Sequence, residues 1–322
     1  MSAHPPAYHA PSWLPGGHLQ TLWPLLIKPR PLPLRRERWP TPDGDFIDVD
    51  FLDAPDDAPT LVLFHGLEGS SRSHYAISTA HACQAAGWRL VLPHFRGCSG
   101  ELNRQPRAYH SGDSDEIDWI LRRIQAGQGG RRLHAAGVSL GGNALLKWAG
   151  ERGTAAAEVV TGVAAMCAPL DLAACGHHLA RGFNRVYTRH FLGTLKAVSA
   201  ERLRRFPGIF DETRMRRAAN LWQFDDAVTG PVHGFAGADD YWQRCSAKPF
   251  LKSIAIPALA VNPKNDPFLP ARFLPGAAEV AACVRLEQPT SGGHVGFVGG
   301  SFPGRLDWLP QRLLHFFLFE TS

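Results

Sequence analysis

Gly137-Val138-Ser139-Leu140-Gly141 sets a serine between glycines directly after an apolar run, Leu133 to Ala136. A GxSxG pattern suits a backbone that turns sharply from strand to helix, with little room for flanking side chains and the hydroxyl left exposed. Asn143 to Trp148 reads as the helix that follows. Because a serine hydroxyl is a poor nucleophile at neutral pH, acyl transfer through Ser139 requires a base within hydrogen-bond reach, itself oriented by a third group. Of the fifteen histidines, His294 has the position for that base, in the glycine-dense loop Ser291-Gly292-Gly293-His294-Val295-Gly296-Phe297 after the last strand-like run. The acid belongs between serine and histidine in chain order. Asp266 stands there, after Ala258 to Val261 and just before Pro267, and is preferred to Asp171, which follows the preceding run.

Acyl transfer also builds negative charge on a carbonyl oxygen, which pre-aimed backbone N–H groups stabilise by about 3 kcal/mol per donor. The run Leu61 to Phe64 ends in His65-Gly66-Leu67-Glu68-Gly69-Ser70, a turn that offers the Leu67 amide as an oxyanion donor. The Leu140 amide, next to the nucleophile, offers the second. His65 reads as a prop of this turn rather than a base, and His74, His134, His190 and His315 read as packing or surface residues. Neither cofactor nor metal is expected. The six cysteines form no CxxC pair, and Cys175 with His177 and His178 lacks a second pair of ligands.

These residues need a scaffold that brings distant loops to one place. From Thr60 onward, short runs rich in Val, Leu and Ile alternate with helix-like stretches, the pattern of βαβ units. The expected class is therefore α/β, a mostly parallel central sheet flanked by helices. Strands are expected at 61–64, 90–95, 133–138, 159–166, 258–262 and 284–288, most of them apolar throughout, as in strands covered on both faces. An earlier strand at 45–52 pairs with 36–39. Asp113 with Glu116 forms a capping box ahead of Ile117, Ile120, Leu121 and Ile124 at helical spacing. Further helices are expected at 76–86, 143–149 and 311–319.

Residues 171–250 abandon the strand-helix rhythm and read as a helical cap inserted between two parts of an α/β core, 46–170 and 251–322. Residues 1–45 are rich in proline, from Pro5, Pro6 and Pro11 onward, and carry Trp13, Leu14, His18, Leu19, Leu22 and Trp23. Two tryptophans are costly to leave in water, so this arm is expected to pack on the body.

With 322 residues, 44% of them apolar, the chain has the material for a large buried core. No apolar run approaches the roughly 18 residues of a membrane span, and no charged-then-apolar leader opens the sequence, so a cytoplasmic location is expected. The net charge is +5, and between Arg181 and Arg217 ten Lys or Arg face only Glu201, Asp211 and Glu212. A solvated helical face explains such a segment; a cap surface able to meet anionic lipid or an acidic substrate is the second explanation. Nucleic acid is not expected as a partner, since no recognition motif accompanies the charge. Nothing in the pattern sets an oligomeric state.

Several markers in order give the chain a family resemblance. They are Trp13-Leu14-Pro15-Gly16-Gly17-His18-Leu19-Gln20-Thr21, the turn from His65, Phe95-Arg96-Gly97-Cys98-Ser99-Gly100, Tyr109-His110-Ser111-Gly112, Gly137 to Asn143, Phe224-Asp225-Asp226 with His233-Gly234-Phe235, and Gly293-His294. In these the chain resembles the YheT-like branch of the α/β-hydrolases, related to the animal esterases and phospholipases grouped as α/β-hydrolase-domain proteins one to three. The resemblance covers nearly the whole chain. It implies the α/β-hydrolase fold, a Ser-Asp-His triad on Ser139, Asp266 and His294, and hydrolysis of carboxylic esters, short-chain or glycerolipid. A lipase or phospholipase acting at a membrane surface is one alternative, and a non-catalytic binder on the same fold another. Amidase, thioesterase and carbon-carbon hydrolase chemistry use the same machinery.

Overall fold

The computed structural model describes residues 7–321; the start of the arm, with Pro5 and Pro6, lies outside them. Eight strands form one sheet: β1 (Arg35–Pro40), β2 (Phe46–Leu52), β3 (Thr60–Phe64), β4 (Arg89–Pro93), β5 (Leu133–Val138), β6 (Gly162–Met166), β7 (Ala258–Val261) and β8 (Val284–Glu287). Their order is β1-β2-β4-β3-β5-β6-β7-β8. The early hairpin β1–β2 is antiparallel and joins β4 antiparallel; every later pair is parallel. A mostly parallel sheet needs cover on both faces, and the alternation along β3 shows how it is supplied. Val62 and Phe64 pack toward the helices Ser114–Ala126 and Leu140–Arg152, while Leu61 and Leu63 face His74–Ala86 and Trp308–Phe319.

Register matters most for function. Phe64 lies opposite Gly137, Val138 opposite Met166, Met166 opposite Val261 and Val261 opposite Glu287. The carboxyl ends of five parallel strands therefore finish at one level, and the loops that leave them share one edge, where open α/β sheets hold ligands.

Two local expectations are corrected. Residues 159–161 are not strand: a 3₁₀ turn, Gly153–Glu158, occupies the approach, and β6 begins only at Gly162. The capping box at Asp113 and Glu116 does not form, although the helix does, from Ser114. Arg96, nearly fully buried, binds Glu116 at 2.6 Å, and Arg107 binds Asp113 at 2.6 Å. A charge-assisted pair is stronger than a neutral cap, so both carboxylates go to the guanidinium groups.

Between β6 and β7 the described chain is helical, with Leu172–Leu179, Arg185–Arg205, Glu212–Arg217 and Ala238–Cys245 as its main elements. Leu192, Phe210, Met215, Phe224 and Val228 form its own small core. Part of its positive charge is locally balanced: Arg204 and Arg205 meet Glu201, Arg214 meets Asp226 and Arg216 meets Glu212. The N-terminal segment is tied to the far end of the chain. Tyr8 donates to the Val298 carbonyl, Trp13 to Gly300 and Trp23 to Pro303. Among the described residues no helix is long and apolar enough to cross a membrane.

His65, at the end of β3, fastens that edge. Its Nδ1–H donates to the Gly66 carbonyl at 2.8 Å, and its Nε2 accepts from the Phe95 amide at 3.0 Å. Only the neutral ring can do both, and burial pushes its pKa down to about 3. A histidine depressed on folding leaves the unfolded chain holding the extra proton. Its contribution is therefore complete above about pH 6.5 and is lost as pH falls toward 3. By pH 5 the loss from His65 is about 2 kcal/mol. Urea unfolding between pH 7.5 and 5 is expected to show a shallower decline of stability in His65→Gln than in the parent chain; equal slopes would remove His65 as the cause.

Candidate active site

Ser139 sits at the sharp bend between β5 and the helix Leu140–Arg152 with φ of 52°, a conformation that a residue with a side chain enters only when its surroundings impose it. Its amide donates to the Met166 carbonyl at 2.8 Å, and its carbonyl accepts from Asn143. A Cβ on Gly141 would meet the carbonyls of Phe64 and His65, so the helix can start this close to β3 only with glycine there. The hydroxyl of Ser139 lies 3.0 Å from His294 Nε2, and His294 Nδ1 lies 2.9 Å from Asp266 Oδ2. Since a carboxylate only accepts, Nδ1 carries the proton and Nε2 is left to accept from the serine. Asp266 is buried, and its other oxygen accepts from the Phe268 amide at 2.8 Å. The Phe268 ring stacks on the imidazole, centroids 3.9 Å apart. Asp171, the rival acid, caps the helix Leu172–Leu179 by accepting from Ala174.

The turn after β3 comes to the serine from the other side, with Gly66 packed against its Cβ. Two tyrosines hold this turn: Tyr75 accepts from the Gly66 amide and Tyr109 from the Glu68 amide, both at 2.9 Å. The intervening Leu67 amide and the Leu140 amide have no protein acceptor among the described residues. Two free N–H groups beside an exposed hydroxyl are what an oxyanion needs. Neither tyrosine stands out by spacing, because each acts through its hydroxyl on a turn distant in sequence.

Sequence reasoning also misses what holds His294. Four consecutive amides of its loop each donate to a side chain: Gly292 to Gln20 Oε1 at 2.9 Å, Gly293 to Asn265 Oδ1 at 3.0 Å, His294 to Thr21 Oγ1 at 2.8 Å, and Val295 to Cys167 Sγ at 3.1 Å. Gln20 Oε1 also accepts from Asn265, in the turn that carries Asp266. The arm approaches so closely that a Cβ on Gly17 would collide with the Asn265 carbonyl. Only the run of Gly16-Gly17 beside Gln20-Thr21 gives a hint of this in the sequence.

Cys167, Asp266 and His294 bring one donor atom each within 4.8 Å of one another. Both imidazole nitrogens are already engaged, however, and burial with the nearby Asp266 charge raises the Cys167 thiol well above its ordinary pKa. A neutral thiol is a poor metal ligand, so the group is built for hydrogen bonding. Cys175 packs with Leu179 and Tyr187 in an apolar cluster. The hydroxyl opens into a cavity of about 140 Å³, walled by Leu67, Leu140 and Pro169 from the core and by Leu195, Val198 and Val228 from the helical segment.

Comparison with known proteins agrees with this architecture. Residues 59–301 match the family model described as alpha/beta hydrolase fold. The chain is 40% identical to "Putative esterase YheT" of Escherichia coli K12, over 92% of this chain and 88% of that one. It is 28% identical to human "Phospholipase ABHD3", over 96% of this chain and 78% of that one. Among solved structures, Est1E from Butyrivibrio proteoclasticus, bound to ferulic acid, superposes with a TM-score of 0.57 at 13% identity, covering 88% of this chain and 98% of its own. At that identity the likeness concerns the fold alone. With a matching family model over most of its length and a close YheT relative, the chain belongs to the alpha/beta hydrolase fold family.

Proposed function

We propose that the chain is a carboxylic ester hydrolase working through an acyl-serine, with Ser139 as nucleophile, His294 as general base and Asp266 as the group that orients it. The observation that carries this reading is the unbroken path from Asp266 through His294 to Ser139, at 2.9 and 3.0 Å. His294 Nε2 takes the serine proton as Oγ attacks the ester carbonyl. The tetrahedral oxygen then forms between the amides of Leu67 and Leu140, and His294 returns the proton to the leaving alcohol. Water, deprotonated by the same nitrogen, releases the acid from Ser139. The helical segment, residues 171–250, serves as the cap that closes the acyl cavity. A volume of about 140 Å³ resembles cavities that admit one benzene-sized group, which favours short acyl chains.

A lipid-surface esterase is the second reading, and one surface favours it. Leu19, Leu22, Leu25 and Leu26 of the arm are exposed, Leu26 at 76%, as are Phe183 and Val186. The His18 and Phe183 rings, 4.6 Å apart, bring the two segments into contact. Arg181, Arg185 and Arg189 lie in the same stretch of chain as Phe183 and Val186. Apolar side chains with basic neighbours suit the interface of an anionic bilayer.

Three experiments follow. Ser139→Ala is expected to lose fluorophosphonate labelling and to cut turnover of p-nitrophenyl butyrate by at least ~10³-fold, in a parent panel whose activity falls beyond about six acyl carbons; labelling that persists would falsify the assignment. Gln20→Leu is expected to lower kcat by ~10- to 100-fold while the fold is retained by circular dichroism, because the imidazole loses its support. Flotation with phosphatidylglycerol vesicles at low salt is expected to carry the parent chain but not Leu25→Glu/Leu26→Glu; absence of binding by the parent would remove the lipid-surface reading.

A further inference from the structure

Among the described residues four lysine or arginine side chains are buried, and three have their counter-charges at hand. Arg96 is held by Asp43, Asp45 and Glu116, Arg312 by Glu287 and Glu320, and Lys147 by Glu151. Arg202 is the exception. It is 4% exposed, yet its guanidinium forms no hydrogen bond or ion pair with any described residue, and its Nε is enclosed without a partner.

Its position gives that isolation a meaning. Arg202 stands in the last turn of the helix Arg185–Arg205 and lines the same cavity as Ser139. Its outer nitrogen faces the Gly97 loop, where a Cβ would come to 3.8 Å. Glu68 and Asp45 act on it only as more distant charges, and one oxygen of the Glu68 carboxylate accepts from the Tyr109 hydroxyl at 2.7 Å. Burial lowers the Arg202 pKa from its usual value and outweighs the more distant negative charges that would raise it.

A desolvated guanidinium without an anion is expensive, and the chain has met that requirement at every other buried basic residue. The planar fork fits two oxygens of one carboxylate or phosphate, and such pairs strengthen in an enclosure that excludes water. The walls near it, Leu67, Leu195, Val198 and Val228, offer contact to hydrocarbon only. We infer that Arg202 is the anion-recognising residue of this cavity, and that the preferred substrate is an ester carrying a carboxylate or phosphate set off from the scissile bond by an apolar spacer. The inference rests on the hydrolase reading above and names its substrate class.

Matched substrates test it. The carboxylate arm compares the mono-p-nitrophenyl esters of glutarate, adipate and suberate with neutral p-nitrophenyl esters of equal length. The phosphate arm compares p-nitrophenyl 6-(phosphonooxy)hexanoate with p-nitrophenyl heptanoate. The parent chain is expected to favour at least one anionic member by about 10-fold or more in kcat/KM, and the favoured arm identifies the anion. Arg202→Met is expected to lower the anionic-to-neutral ratio by ~10- to 100-fold, and Arg202→Lys to restore part of it. No preference in the parent, or an unchanged ratio in Arg202→Met, overturns the inference; if Arg202→Met does not fold, the parent preference and Arg202→Lys still decide. Should no ester be turned over, calorimetry of adipate and glycerol 3-phosphate on the Ser139→Ala chain reads the anion site alone: binding of either supports it, and binding of neither removes it.

Discussion

The imidazole of His294 is where it is because four successive backbone amides have been claimed by side chains from elsewhere. A glycine-dense loop at the end of a sheet has no ladder to satisfy its N–H groups, and buried donors left unpaired are costly. Gln20, Thr21, Asn265 and Cys167 supply the acceptors, so all four donors of the loop are met in this conformation. Proton transfer tolerates little error in distance, and a displacement of about 1 Å far from the chemistry can cost ~10²-fold. The arm is therefore part of the proposed machinery, although none of its described residues hydrogen-bonds to the serine.

The rest of the site depends on the sheet in a simpler way. Common register at the carboxyl ends of β3, β5, β6, β7 and β8 brings the loops bearing Leu67, Ser139, Cys167, Asp266 and His294 together. Helices cover both faces of the sheet, and residues of the helical segment between β6 and β7 wall the cavity at that edge. Charge inside the closed region is handled individually: Arg96 is surrounded by carboxylates, and Arg202 is left for something the protein does not contain.

Local patterns carried some features of this structure into plain view and left others dark. A GxSxG after an apolar run, a late histidine among glycines and an aspartate before Pro267 are legible because each is set by short-range backbone demands. The parallel core is legible for the same reason, since strands covered on both faces are apolar throughout. Asp113 and Glu116 mislead because the capping pattern takes no account of Arg96, whose need for carboxylates arises only once the chain is folded. Residues 159–161 mislead because apolar content alone does not separate a strand from a 3₁₀ turn that approaches it. Tyr75 and Arg202 are silent in the sequence, and Gln20 and Tyr109 stand in it only as parts of resemblance markers with no role attached, because a single polar side chain has no periodicity, and its partner, or lack of one, is decided in three dimensions.

The bond from Gly292 to Gln20 joins residues 272 positions apart. Contacts of that span close late, since the entropy of a large loop must be offset before they form. When Ser139 is added during synthesis, His294 is still 155 residues away, while the segment that will brace it has already been made. Until β8 and the loop after it arrive, Ser139 has no His294 beside it, so under the proposed mechanism the nascent chain stays inert toward esters.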